Sequence, residues 1–207
     1  MGCDSIAAEA HGSTALKAAV RRDDHSFVRH LLETRVDVDA PATSGDLKWS
    51  TSLQEAAGCR NLRLVQLLIS FGADVNAFVG NTRGVTAIQI AASIGNTQLV
   101  GLHLNSRADA NAAAGGTTAL VEEPGSATGL AIVKMLLESG ASMIGQWEKV
   151  FDAVVNPTDC GIGLSLELVH FLLGHRPVSE VIGTNQATKC IQLYRDTWHE
   201  TEHADLN

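Results

Sequence analysis

The sequence predicts an all-α solenoid of about five helix–turn–helix–hairpin units, the last two irregular, followed by a C-terminal cap or tail. Three observations carry that prediction. A Thr-x-Leu/Ile-x-x-Ala phrase begins at Thr14, Thr51 and Thr86 and recurs in decayed form at Thr118. An aliphatic pair follows each copy, at Phe27-Val28, Leu64-Val65, Leu99-Val100 and Ile132-Val133, and again at Leu168-Val169. The second members of these pairs lie 37, 35, 33 and 36 residues apart. A period of this size marks units that cannot bury an apolar face alone and must stack on one another. The expected division is an N-terminal extension over 1–11, a repeat domain over 12–177 and a cap or tail over 178–207.

The first unit opens at Thr14-Ala-Leu-Lys-Ala-Ala and closes at Val36-Asp-Val-Asp39. The Thr14 hydroxyl is placed to cap the first helix, and Leu16 and Ala19 fall on one helical face. The second unit is the most regular: Thr51-Ser-Leu-Gln-Glu-Ala-Ala, then Asn61-Leu-Arg-Leu-Val-Gln-Leu-Leu-Ile, then Phe71-Gly-Ala-Asp-Val-Asn-Ala77. Its Leu-Val-x-x-Leu-Leu block is the apolar face of a second, antiparallel helix. Gly72 falls just past that helix, where a left-handed residue is wanted, and Asp-x-Asn then turns the chain. The third unit repeats the pattern with Thr86-Ala-Ile-Gln-Ile-Ala-Ala, Gly95-Asn96 and Arg107-Ala-Asp-Ala-Asn111.

The fourth and fifth units depart from it. Thr118-Ala-Leu-Val-Glu-Glu is interrupted by Pro124-Gly125, which does not continue a helix comfortably, although Gly140 keeps its place. The fifth unit has a first helix near Trp147 to Val155 without the Thr-x-Leu phrase, and a long turn from Asn156 to Ser165. After Pro177 the periodicity is gone.

The three aligned copies resemble the ankyrin repeat, most closely in the Gly-Ala-Asp-Val-Asn phrase of the second, and the resemblance covers roughly residues 12–177. It implies a partner gripped by hairpin tips and by the exposed side of each first helix, which together line a concave face. Carried over by position, that face presents Leu47, Lys48, Trp49 and Ser50 before the second unit, and Phe78, Thr82, Arg83 and Val85 before the third. The first helices add Glu55, Gly58, Cys59, Ile90, Ser93, Ile94 and Glu122. Trp49, Phe78, Val85 and Ile94 make this strip unusually apolar for exposed positions, as at many contact surfaces. The alternative is that these side chains pack on neighbouring hairpins.

Composition narrows the partners. A net charge of -8 opposes nucleic-acid binding, because neutralising phosphates requires an excess of Lys and Arg. No run of 18 apolar residues predicts a membrane span, and the first ten residues lack a signal-peptide core. Cys3, Cys59, Cys160 and Cys190 are scattered without a CxxC pair, which suits reduced thiols in the cytoplasm or nucleus.

Two clusters invite a chemical reading. Aligned from Thr118, Glu123 occupies the place of Ala19, Ala56 and Ala91, where a carboxylate would be desolvated and its pKa raised. With Glu122 and Asp152 it could serve acid–base work on a small organic ligand, as in a cyclisation or isomerisation; alternatively Pro124 unwinds the helix and Glu123 turns to water. His199-Glu-Thr-Glu-His203 matches H-E-x-x-H, in which His199, Glu200 and His203 would form a zinc site. The acidic tail around it offers no rigid second shell, so no metal is expected. Gly161-Ile-Gly163 lacks the rest of a dinucleotide fingerprint, and no cofactor is expected. The leading expectation is a scaffold that binds another protein through the concave face; the rival is a small-molecule binder or enzyme with a pocket at units three to five.

Overall fold

The turn between the two helices of a unit is only as long as one backbone device allows, and that device recurs in the first three copies. The computed structural model describes residues 15–40, 50–78, 85–112, 118–120 and 128–142. They form α1 (15–21), α2 (His25–Glu33), α3 (Ser52–Gly58), α4 (Leu62–Ser70), α5 (Ala87–Ser93), α6 (Thr97–Asn105) and α7 (Gly129–Glu138), with no strand among the described residues.

The first helices α3 and α5 each start on a capping box. The backbone N–H groups of Gln54 and Gln89 donate to the hydroxyls of Thr51 and Thr86, at 3.2 and 3.4 Å. In return the Thr51 and Thr86 N–H groups donate to the Gln54 and Gln89 side chains, both at 2.8 Å. The first helices end at a left-handed residue, Asp23, Arg60 or Gly95, with φ of 58, 58 and 67°. The next residue does two jobs. The N–H groups of Asp24, Asn61 and Asn96 reach back to the carbonyls of Ala19, Ala56 and Ala91, each at 3.1 Å. Their side chains accept from the N–H groups of Phe27, Leu64 and Leu99, at 3.0, 3.0 and 3.1 Å. One residue thus closes the first helix and caps the second. The second helices close likewise on Arg35, Gly72, Arg107 and Gly140, with φ of 61, 90, 67 and 90°.

The helices form two layers. First helices α3 and α5 pack side by side, second helices α4, α6 and α7 follow one another, and α3 sits on α4 as α5 sits on α6. One continuous core fills the space between. It takes Leu53, Ala56 and Ala57 against Leu64, Val65 and Leu68, then Ile88, Ala91 and Ala92 against Leu99 and Val100. The alanines let backbones approach closely at interior density. Thr118, Ala119 and Leu120 are buried in the same way, so the decayed fourth phrase still enters the stack. Thr128, the N-cap of α7, lies one residue further ahead of Ile132-Val133 than Asn61 and Asn96 lie ahead of their pairs, and it makes no side-chain cap bond to α7.

Two ladders of hydrogen bonds stitch unit to unit. In the connections after each second helix, Asp37, Asp74 and Asp109 accept from the N–H two residues on, at 3.0, 2.9 and 2.8 Å. The residues so oriented reach across to the next unit. Asn76 accepts from Asp109 N at 2.7 Å and donates to the Arg107 carbonyl at 3.3 Å. Asn111 accepts from Ser142 N at 2.6 Å and donates to the Gly140 carbonyl at 3.0 Å. Asp39, the first-unit equivalent, accepts from Asp74 N through both carboxylate oxygens, but its side chain has no N–H to give. The second ladder runs beneath the first helices. Gln54 Nε2 donates to the carbonyls of Ala77 and Val85 at 3.1 and 2.8 Å, and Lys17 Nζ to the Ser50 carbonyl.

None of the described helices is long and apolar enough to cross a membrane. Pro124-Gly125, the fifth unit and 178–207 lie outside the described residues.

Candidate functional site

The exposed side of the first-helix layer follows from the repeat register. Glu55 and Ile90 occupy one row, Gly58 and Ser93 the next, and Cys59 and Ile94 a third. Gly58, Cys59 and Ser93 are exposed, whereas Ile90 and Ile94 are half-buried and pack against the core. The two isoleucines therefore contribute partial faces, because their branched carbons also close the gap behind α5.

Phe78 and Val85 are different. They are 50% and 39% exposed, large apolar side chains on the connection between units two and three. Their placement is set from below. The buried Gln54 carboxamide binds the carbonyls of Ala77 and Val85 with one nitrogen, so the two arms of this connection are tied together at their base. A neutral residue that satisfies its own helix cap with its oxygen and the neighbouring unit with its nitrogen has no freedom left to move. Phe78 and Val85 thus stand at the mouth of the connection on a fixed foundation.

At the first-unit end the same surface is charged. Glu55 accepts from Arg21 Nε at 2.9 Å and from the Ser50 hydroxyl at 2.7 Å. Burial alone would raise its pKa. The hydrogen bonds from Arg21 and Ser50, with the charges of Arg21 and Lys17, outweigh it and hold the carboxyl below its usual range. Lys17 is fully buried, and desolvation pulls its ammonium down to about 8 against the raising effect of Glu55. Burial, helped by the charges of Glu55 and Asp23, pushes the Cys59 thiol up in spite of Arg21, so at neutral pH it is a thiol rather than a reactive thiolate.

Of the residues expected on this face, the structure describes Ser50, Glu55, Gly58, Cys59, Phe78, Val85, Ile90, Ser93 and Ile94. It brings Ser50 and Glu55 into contact and sets Phe78 and Val85 on one clamped connection. Leu47, Lys48, Trp49, Thr82 and Arg83 lie outside the described residues, as do Glu122, Glu123 and Asp152 and the tail residues His199, Glu200 and His203. No cluster of three His, Cys, Asp or Glu side chains suited to a metal ion occurs among the described residues.

Lys17 and Gln54 form the foundation of the face, and a polar residue on a helix does not announce such a role. The signal was positional, since both stand three residues after a repeat threonine. His103 is the other unexpected residue. It stands where α4 has Leu68 and α7 has Leu136, wholly buried, with neither ring nitrogen hydrogen-bonded.

Comparison with known families agrees with the repeat. A family model of ankyrin repeats in three copies matches residues 53–145, and a single ankyrin repeat model matches residues 11–42. Together the two stretches span more than half of the chain. No curated protein matches it.

Proposed function

Because this chain belongs to the ankyrin repeat family, whose repeats are generally protein-interaction scaffolds, we propose that it binds a polypeptide partner along the first-helix layer and the connections leading into it. The observation that carries this reading is the pair Phe78 and Val85, half-open apolar side chains fixed over a buried glutamine clamp. A rigid aromatic anchor loses little conformational freedom on binding and contributes strongly to interfaces. Glu55, held ionised by Arg21 and Ser50, supplies a fixed negative charge beside the exposed Cys59. The repeat register assigns Leu47, Lys48, Trp49 and Arg83 to the same proposed surface.

The test begins with a photoreactive phenylalanine analogue at position 78, with a second copy at Phe27 as control. A polypeptide crosslinked from 78 and not from 27 is the partner. Titration of that partner should then show binding weakened by about tenfold or more in Phe78→Ala, the range of an aromatic hot spot. Unchanged affinity in Phe78→Ala would remove this face from the interface.

A further inference from the structure

The second-helix layer carries a feature of opposite chemistry. Between α2 and α4 runs a groove of about 670 Å3, walled by His25 and Arg29 of α2 and by Arg63, Gln66 and Ser70 of α4, over Leu67. Among the described residues no carboxylate lines it. Arg29 and Arg63 are exposed, and neither is in the ion pairs of the described residues, which are Arg21 with Glu55 and His25 with Asp23. The His25 Nδ1 faces the Asp23 carbonyl at 3.1 Å, while its Nε2 is shielded and has no hydrogen-bond partner.

This arrangement runs against the charge of the whole molecule. The chain has 15 Lys and Arg against 23 Asp and Glu, yet here two guanidinium groups share a groove with no acid among its described lining. The seam between α6 and α7 is built differently: there Gly101 of α6 is covered by Met135 of α7, whose terminal carbon lies 3.1 Å from the position of an added Cβ. The two arginines of the cationic groove come from the first two units.

We propose that this groove is a second docking site, which holds a carboxylate-rich segment of a protein partner on the face opposite the first-helix layer. It rests on the reading of the chain as a protein-binding scaffold and adds a surface to it. Three arguments select this occupant. Two arginine forks can each take a carboxylate through paired N–H donors, which a point charge could not orient. The groove follows two nine-residue helices, roughly 13 Å of length, enough for several residues of polypeptide. Its wall adds an apolar contact at Leu67 and neutral hydrogen-bonding groups at Gln66 and Ser70, which suit a peptide more than a bare ion. A nucleic acid is disfavoured, since the negative remainder of the molecule would repel its extended phosphate backbone. A short acidic segment avoids that repulsion by touching only the groove, and the local field would steer it there.

The experiment uses fluorescein-labelled octaglutamate and octaglutamine peptides, with binding to the full chain read by fluorescence anisotropy at low and physiological salt. Octaglutamate should bind with salt-dependent affinity and octaglutamine should not. Arg29→Gln with Arg63→Gln should weaken octaglutamate at least tenfold, and Arg29→Lys with Arg63→Lys should recover part of the loss. Both arginines are exposed, so circular dichroism should show the fold unchanged. Arg107→Gln, an exposed cation outside the groove, and Phe78→Ala should leave the affinity as it was. The proposal is overturned by equal weakening in Arg107→Gln, which means diffuse charge adsorption. It is also overturned if octaglutamate does not bind, or if inorganic phosphate at low millimolar concentration displaces it. Loss on Phe78→Ala would place the acidic peptide on the first-helix face instead, and so separates failure of this site from failure of that one.

Discussion

His103 shows what one side chain can do to a repeat that is otherwise apolar at that point. Its ring is buried without a partner, and desolvation lowers its pKa from 6.5 to about 4. Of the neighbouring helices, α5 and α6 carry no other ionisable side chain, α4 brings only Arg63, and α7 brings Lys134 and Glu138. The sign of the effect follows. Above pH 6.5 the ring is neutral whether the chain is folded or not. Between 6.5 and 4 the unfolded chain takes a proton that the folded core refuses, so stability falls as the pH falls, by roughly 3 kcal/mol in total. Urea denaturation at pH 7 and pH 4.5 should show this decline in the wild-type chain and a clearly smaller one in His103→Leu. An identical decline in both proteins would assign the acid sensitivity to other groups. The position was legible in principle, since aligning Val65-x-x-Leu68 with Val100-x-x-His103 exposes the substitution, but its burial and its lack of a partner are tertiary facts.

At the scale of an element, what was legible was what depends on neighbours along the chain. Thr51 and Thr86 cap the first helices, and Gly72 and Gly140 take left-handed φ past the second helices, because caps and turns are decided within a few residues. The glutamine three residues after Thr51 was opaque, because the partner that gives Gln54 its meaning is a carbonyl 31 residues away. The same holds for Arg60 and Arg107, which occupy left-handed turns where other copies place Gly95 and Gly72. The joints between units give a further prediction. Asp39 sits where Asn76 and Asn111 sit. Burial raises its carboxyl pKa, as do the charges of Asp74 and Asp37, against a lowering bond from the Asp74 N–H. Asp39→Asn should remove the repulsion and supply a donor of the kind Asn76 and Asn111 use, raising stability by about 0.5–1 kcal/mol. Equilibrium unfolding in urea at pH 7 measures it. A drop in the midpoint would show that the two bonds from the Asp74 N–H outweigh the charge.

For the molecule as a whole, the period of the apolar pairs was enough to establish the stacked two-layer architecture, since no shorter-range choice of residues produces that spacing. The candidate faces were only partly legible. A register argument placed Phe78, Val85, Ile90 and Ile94 on one side, but it does not distinguish an exposed anchor from a side chain half-turned into the core, as Ile90 and Ile94 are. The arginine groove escaped it altogether. Arg29 and Arg63 are not equivalent positions of the repeat, and only the packing of α2 beside α4 puts them in one cleft.

The two ladders have a consequence for how such a chain changes its length. Gln54 is joined to the carbonyl before the next threonine, and Asn76 to the backbone of the next turn, so each joint recognises main-chain groups that are present in every copy. A tandem duplication of residues 51–85 placed after Val85 would therefore meet ready-made partners at both of its ends. The enlarged protein should gain helical ellipticity in proportion and melt no lower than its parent; a lower midpoint would show that the joints are individually tailored. With joints of this kind, the gene can acquire or lose a whole unit in one event, and the surfaces at either side of the insertion keep their form while the distance between them changes.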